Sequence, residues 1–252
     1  MIQLPVTSGR ILERSTLSSL NANCSDDYVC ADNILSLNTR KRKTGAGSAQ
    51  SHATPAQTSV SSPTVIRVPV LLHPVSKGQK SPLLDGNLPR ALACFGWNVK
   101  NPDCDVDVSA FLLNQSGKVI GDSWFVFYGQ TQSPDRSTCL TEQTKDDRQM
   151  ISIDFIKLNP AVKKIVFVMT IHEAFEKRLH FDMLKDAYIR ILNPSDRSEL
   201  LSFRLTDYYT NVISMAIGEI YQHNGKWKFN AIGNGLARDL AGLCEFYGVQ
   251  VI

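Results

Sequence analysis

From residue 65 onward the chain is a succession of short apolar runs separated by turn residues. Such runs fall at 65–72, 91–99, 106–113, 123–128, 150–158, 164–171, 187–192, 199–205, 214–222 and 226–232. Runs of this length, repeated at short intervals, predict a mainly β domain, a sandwich or a barrel. The last two flank Asn224-Gly225. Both residues tolerate positive φ, so this dipeptide predicts a tight hairpin. Helical periodicity is scarce. One stretch, 174–185, has helical spacing. A better one, 235–247, puts Leu236, Leu240, Leu243 and Cys244 on one face and ends at Gly248, a residue suited to a helix C-terminus.

The first 63 residues read differently. Residues 44–63 are almost entirely Gly, Ala, Ser, Thr, Pro and Gln. They have too little to bury to offset the entropy of ordering, so an unstructured arm and linker is expected over 1–63, with the domain occupying 64–252. A short helix is expected at 11–20. Arg40-Lys41-Arg42-Lys43 forms a basic cluster within the arm. It reads either as an anchor for an anionic surface or as a solvated charge run.

Composition narrows the function. The 252 residues carry a formal charge of only +3, with 43% hydrophobic residues. Nucleic-acid binding is not expected from that balance. No apolar run is long enough to span a bilayer, and the first residues lack a secretory core, so an intracellular protein is expected. Six cysteines are scattered with no C-x-x-C pair, which predicts reduced, packed thiols. No P-loop, G-x-S-x-G or H-E-x-x-H occurs, and nothing supplies nucleophile, base and orienting group together. The chain is therefore read as a non-enzyme; the weak alternative is a metal-dependent hydrolase using Asp105, Asp107 and His172.

The sharpest chemical feature is Asp103-Cys104-Asp105-Val106-Asp107. In an extended chain alternate side chains share a face, so three carboxylates converge. Hard oxygen donors in that number suit Ca²⁺. The spacing is not that of an EF-hand, because Val108 stands where a glycine is required. The competing reading is an acidic strand entrance facing water. A polar stretch at 130–149 adds Asp135, Glu142, Asp146 and Asp147 as further donors. Trp97, Trp124, Trp227, Phe125, Phe127, Tyr221 and Phe229 sit in the strand runs and read as core or cross-strand pairs.

These residues also carry a resemblance. Cys94-Phe95-Gly96-Trp97-Asn98, the run 103–113, Gly117-Lys118-Val119, Gly121-Asp122, 125–128, 164–172, 187–190, 218–221 and 223–233 together resemble the TerD-like tellurium-resistance and general stress proteins, from about Lys77 to the C-terminus. The resemblance implies an antiparallel β-sandwich with a C-terminal helix and calcium held by acidic loops. It implies a cytoplasmic protein that joins other proteins of a tellurium-resistance or stress complex, with peripheral contact at the inner membrane surface. The ligand set it implies is Asp103, Asp105, Asp107, Asp122, Asp146 and Asp147. The chain departs from the family pattern at Trp124, Gly129, Gln130, Arg148 and Gln149. The family has an Asp at the first, Asn-Asn at the next two, and an acid where Arg148 and Gln149 stand. One calcium site, centred on Asp103, Asp105 and Asp107, is therefore expected in a non-enzymatic, calcium-binding module, and an interaction scaffold with degenerate sites is the alternative.

Overall fold

The computed structural model describes residues 65–83, 88–142 and 147–250, with Glu142 given by its backbone alone. Among the described residues eleven strands form two antiparallel sheets. They are β1 (Lys80–Pro82), β2 (Arg90–Val99), β3 (Val106–Leu113), β4 (Phe125–Val126), β5 (Thr138–Glu142), β6 (Gln149–Asp154), β7 (Lys164–Ile171), β8 (Leu184–Leu192), β9 (Glu199–Arg204), β10 (Ser214–His223) and β11 (Lys226–Leu236). One helix, α1 (Leu240–Tyr247), follows. The six-stranded sheet has the order β1-β11-β10-β7-β3-β4, and the five-stranded sheet β5-β6-β2-β8-β9. The expected antiparallel sandwich with a C-terminal helix is what forms.

Side-chain alternation builds the layers. Phe95 and Trp97 of β2, Val106, Val108 and Ala110 of β3, Phe167 and Met169 of β7, and Ile189 and Ile191 of β8 all enter the core between the sheets. Phe95 and Phe167 meet edge to face across it at 5.5 Å. The opposite face of the six-stranded sheet is half covered. There Phe111, Leu113, Val166 and Val168 pack under Leu240, Leu243, Cys244 and Tyr247 of α1. Phe127, Phe125, Phe111 and Tyr247 form a column with centroid spacings of 4.5, 4.4 and 4.4 Å. Most of the strand aromatics are thus core or packed pairs, as expected; Tyr221 is half-exposed on an open sheet face. The β10–β11 hairpin turns at Asn224 and Gly225, both with positive φ.

Several elements differ from expectation. Residues 65–72 form no strand. Pro69 lacks the N–H a ladder needs, and backbone groups at Ile66 and Leu72 bond to side chains instead. Asn98 both donates to the Ile66 carbonyl and accepts from its N–H, and Glu199 Oε1 accepts from the N–H groups of Leu72 and His73. Residues 174–185 form no α-helix: they run through turns and a short 3₁₀ segment at Phe181–Met183 into the start of β8. Positive φ at Glu173 and Arg178 interrupts the spiral, while Ala174, Leu179 and Phe181 anchor the segment in the core. The run 123–128 shortens to a two-residue strand after a 3₁₀ turn, and 150–158 ends at Asp154. The polar stretch 130–149 contains β5, which its composition disguised. The helix starts at 240 and not 235, because β11 runs on to Leu236. The expected arm and its helix lie outside the described residues.

Asp239 caps α1, its carboxylate accepting from the Gly242 N–H at 2.8 Å, and Gly248 closes it in the left-handed region. Asp239→Ala is expected to cost about 1 kcal/mol, read as a fall in Tm of about 2–4 °C.

Candidate functional site

The acidic string leads into β3 at one end of the sandwich. Cys104 and Val106 turn into the core, while Asp103 and Asp105 are exposed and Asp107 is only 5% exposed. Asp103 lies in a turn and Asp105 ahead of the strand, so strand alternation begins only at Val106, and the three carboxylates do not group closely enough to hold a metal. The carbonyl of Asp105 accepts from the His172 N–H at 2.8 Å, tying the string to the end of β7. Asp107 lines a small cleft with Tyr128, His172, Glu173, Glu176 and Asp239. The cleft holds about 20 Å³, room for roughly one water molecule.

Protein groups stand against these carboxylates. The Gln149 side chain spans from β6 to β3: its Oε1 accepts from the Val108 N–H at 2.6 Å, and its Nε2 donates to Asp107 Oδ1 at 3.3 Å. Lys177 pairs with Glu173 at 2.8 Å. Its pKa is raised first by that hydrogen bond and further by the charges of Asp103 and Asp105, so its ammonium sits within their field. The string thus has a cation of its own chain beside it.

Asp147 lies elsewhere, on the outer face of the five-stranded sheet. Its buried carboxylate accepts two bonds from Arg190, at 2.9 and 2.8 Å, and one from the Tyr188 hydroxyl at 2.9 Å. Cys94 lies beside this group; burial first, then the Asp147 charge, pushes its thiol up to about 12. It is an inert, protonated thiol at neutral pH. Cys104, Cys139 and Cys244 are also free of disulfides, as expected of packed thiols. Asp122 accepts from the Gln250 N–H at 2.9 Å, and burial raises its pKa against that bond. Asp146 lies outside the described residues. Asp135 is a turn organiser, accepting from Ser133, Ser137 and Asn159.

Calcium takes six to eight oxygens around one point. The structure does not bring the described members of the implied ligand set to one point: among the described residues no three His, Cys, Asp or Glu side chains group closely enough to hold a metal. Asp107 receives a neutral amide donor, and Asp147 a guanidinium and a phenol, so at Asp147 the counter-charge comes from within the chain. The other substituted positions are also built into the packing. Trp124 packs against both cores, Gln130 Nε2 donates to the carbonyls of Ser123 and Phe125, and Arg148 lies over the Trp97 ring at 5.5 Å while donating to its carbonyl. Lys177, Glu176 and Asp239 were not anticipated at this site; the one available signal was Asp239, a good N-cap residue inside the periodic stretch 235–247, where α1 begins.

Among the described residues no helix is long and apolar enough to cross a membrane. The chain is 37% identical over 172 residues to the tellurium resistance protein TerD of Serratia marcescens, covering 65% of this chain and 90% of the relative. It is 32% identical to general stress protein 16U of Bacillus subtilis, covering 70% and 97%. A crystal structure of a protein of unknown function superposes with a TM-score of 0.51 at 17% identity, over 64% of this chain and 96% of that one, which speaks for the fold alone. The TerD domain pattern itself matches residues 72–247. On sequence pattern, relatives and fold together, this chain belongs to the TerD domain family.

Proposed function

We propose that this chain is a non-enzymatic cytoplasmic module of the stress response that underlies tellurium resistance, acting by protein–protein interaction through a TerD domain whose calcium site has degenerated. The observation that carries this reading is the Gln149–Asp107 contact, where an amide N–H occupies a carboxylate that a cation would otherwise bridge. Lys177 beside Asp103 and Asp105 supports it in the same way. The names of the relatives, and reduced thiols suited to a reducing compartment, support the setting.

Calcium titration with thermal melting tests the reading, since a ligand bound only by the folded form raises its Tm. The native chain is expected to melt at the same temperature in millimolar calcium and in chelator. Asp105→Asn with Asp107→Asn is expected to keep both stability and the tellurite resistance the chain confers on a sensitive host. Gln149→Glu places two carboxylates in contact and is expected to lower Tm in chelator, with recovery on adding calcium. The second reading is one calcium ion centred on Asp103, Asp105 and Asp107. The exposure of Asp103 and Asp105 and the carboxylates around the cleft favour it. A rise of several degrees with calcium in the native chain, abolished by the double Asn variant, establishes that reading and removes the first.

A further inference from the structure

The outer face of the six-stranded sheet is only half covered. Along β11, Trp227, Phe229 and Ala231 turn to the core, so Lys226, Lys228 and Asn230 take the outer face. Cross-strand partners share that face, and the register sets them in rows. Pro82, Lys228, Tyr221 and Lys164 form one row, and Lys80, Asn230, Glu219 and Val166 the next. His223 stands opposite Lys226 at the hairpin end. Helix α1 lies over Val166 and Val168 of β7 and over β3, which leaves the β10, β11 and β1 part of these rows open. Lys80, Lys226 and His223 are exposed there, and Lys228, Tyr221 and Lys164 are half-exposed.

The charges on this face are unbalanced. Among the described residues of these rows the sole acid is Glu219, and it is already engaged: it pairs with Lys164 at 2.9 Å and accepts from Asn230 Nδ2 at 3.1 Å. Lys226 and Lys228 stand two positions apart on one strand, and Lys80 lies diagonal to Lys228 on the next. Three ammonium groups thus share one patch with no acid of these rows between them, and like charges at neighbouring sheet positions repel. Tyr221 sits inside the patch, flanked by Lys228 and Lys164. A half-exposed aromatic ring within a charged, solvated rim is the composition of a protein docking surface.

We propose that the open half of this face docks a carboxylate-rich segment of a partner protein, its acids over Lys80, Lys226 and Lys228 and an aromatic side chain against Tyr221. This rests on the protein-binding role proposed above and names the chemistry of the partner. Charge complementarity selects the occupant. A nucleic acid fits less well: sheet faces that read RNA stack bases on two or three aromatic rings, and these rows hold one, with no arginine fork beside it. A lipid surface fits less well too, because these rows carry no exposed aliphatic side chain to enter it.

Fluorescence anisotropy of labelled poly-glutamate and of a labelled glutamate–tyrosine copolymer with the full chain tests it, in chelator so that calcium bridges nothing. Binding that weakens as salt rises is expected, tighter for the copolymer. An exposed ion pair contributes about two- to fivefold in affinity, so Lys80→Gln/Lys226→Gln/Lys228→Gln is expected to weaken binding about tenfold or more. The triple variant is expected to melt no lower than the native chain, since it relieves repulsion, and circular dichroism establishes that each variant is folded. Tyr221→Ala is expected to remove the preference for the copolymer. Lys100→Gln/Lys185→Gln, at the opposite end of the sandwich, is expected to bind as the native chain does. No binding by the native chain, or equal binding by the triple variant, overturns the proposal. So does a loss that follows changes at Arg40–Lys43 or at the control pair instead, or a copolymer preference that survives Tyr221→Ala. Tighter binding of a single-stranded oligonucleotide or of phosphatidylglycerol vesicles, lost in the triple variant, overturns the choice of a protein segment. The earlier reading fails on different readouts, a native chain that confers no tellurite resistance or gains Tm with calcium, whatever the polymers do.

Discussion

Arg190→Leu is expected to destabilise the domain by about 3–5 kcal/mol, because it leaves the Asp147 carboxylate buried without its counter-charge. The Asp147 side chain has no exposure and that of Arg190 only 14%. The variant removes two charged hydrogen bonds from that carboxylate and keeps the neutral one from the Tyr188 hydroxyl. Urea denaturation measures the loss as a shift in midpoint at constant slope. The partner experiment is Arg190→Leu with Asp147→Leu. Removing both charges is expected to recover most of the loss, since the cost lies in the orphaned ion rather than in the missing bridge. A double variant as unstable as the single one would show that packing, and not charge, holds this corner.

The other large effect is expected from Gly96→Ala. A Cβ added to Gly96 would lie 2.3 Å from the ring of Tyr188. That ring is fully buried, and its hydroxyl is held by Asp147, so it cannot swing aside cheaply. A loss of about 3 kcal/mol or more is expected, at the upper end of overpacking costs. Tyr188→Leu creates space at the same point, so Gly96→Ala is expected to be far better tolerated in that background than in the native chain. Additive losses in the double variant would mean the two residues do not collide as the geometry requires.

These two residues also show what a linear reading can and cannot deliver. Alternation reports the face a side chain takes, and it did so well. Cys104 and Val106 were separable from Asp105 and Asp107 by parity alone, and the Asn224-Gly225 hairpin and the Gly248 helix end followed from backbone preference. Gly96 was part of the family pattern, but its reason, the ring of a residue 92 positions later, needed the fold. What comes to lie against a face is a long-range matter. Gln149 reaches Asp107 across 42 positions and Arg190 reaches Asp147 across 43. Carboxylates that look like co-ligands in sequence thus acquire separate donors in space. The local errors share a cause as well. Residues 65–72 have the apolar content of a strand, yet side chains of β2 and β9 take their hydrogen bonds. The β5 strand hides in a polar stretch because tertiary pairing, and not propensity, makes it.

The margins of the two sheets limit how this domain can meet a partner. The outer rim of β9 is taken by residues 73–75, which exchange backbone hydrogen bonds with Ser202. That of β5 is taken by residues 131–133, through Thr131, Gln132 and Ser133. At β4 only two residues are extended, and the Gln130 amide already holds the Phe125 carbonyl. At β1 three residues end in Pro82, which has no N–H to offer. Among the described residues a visiting peptide therefore finds no long open rim to extend, which disfavours recognition by strand addition and edge-to-edge zipping of identical copies. A partner protein would then be met by side chains, on the open half of a sheet face or at the two ends of the sandwich, where surface chemistry rather than backbone sets the choice.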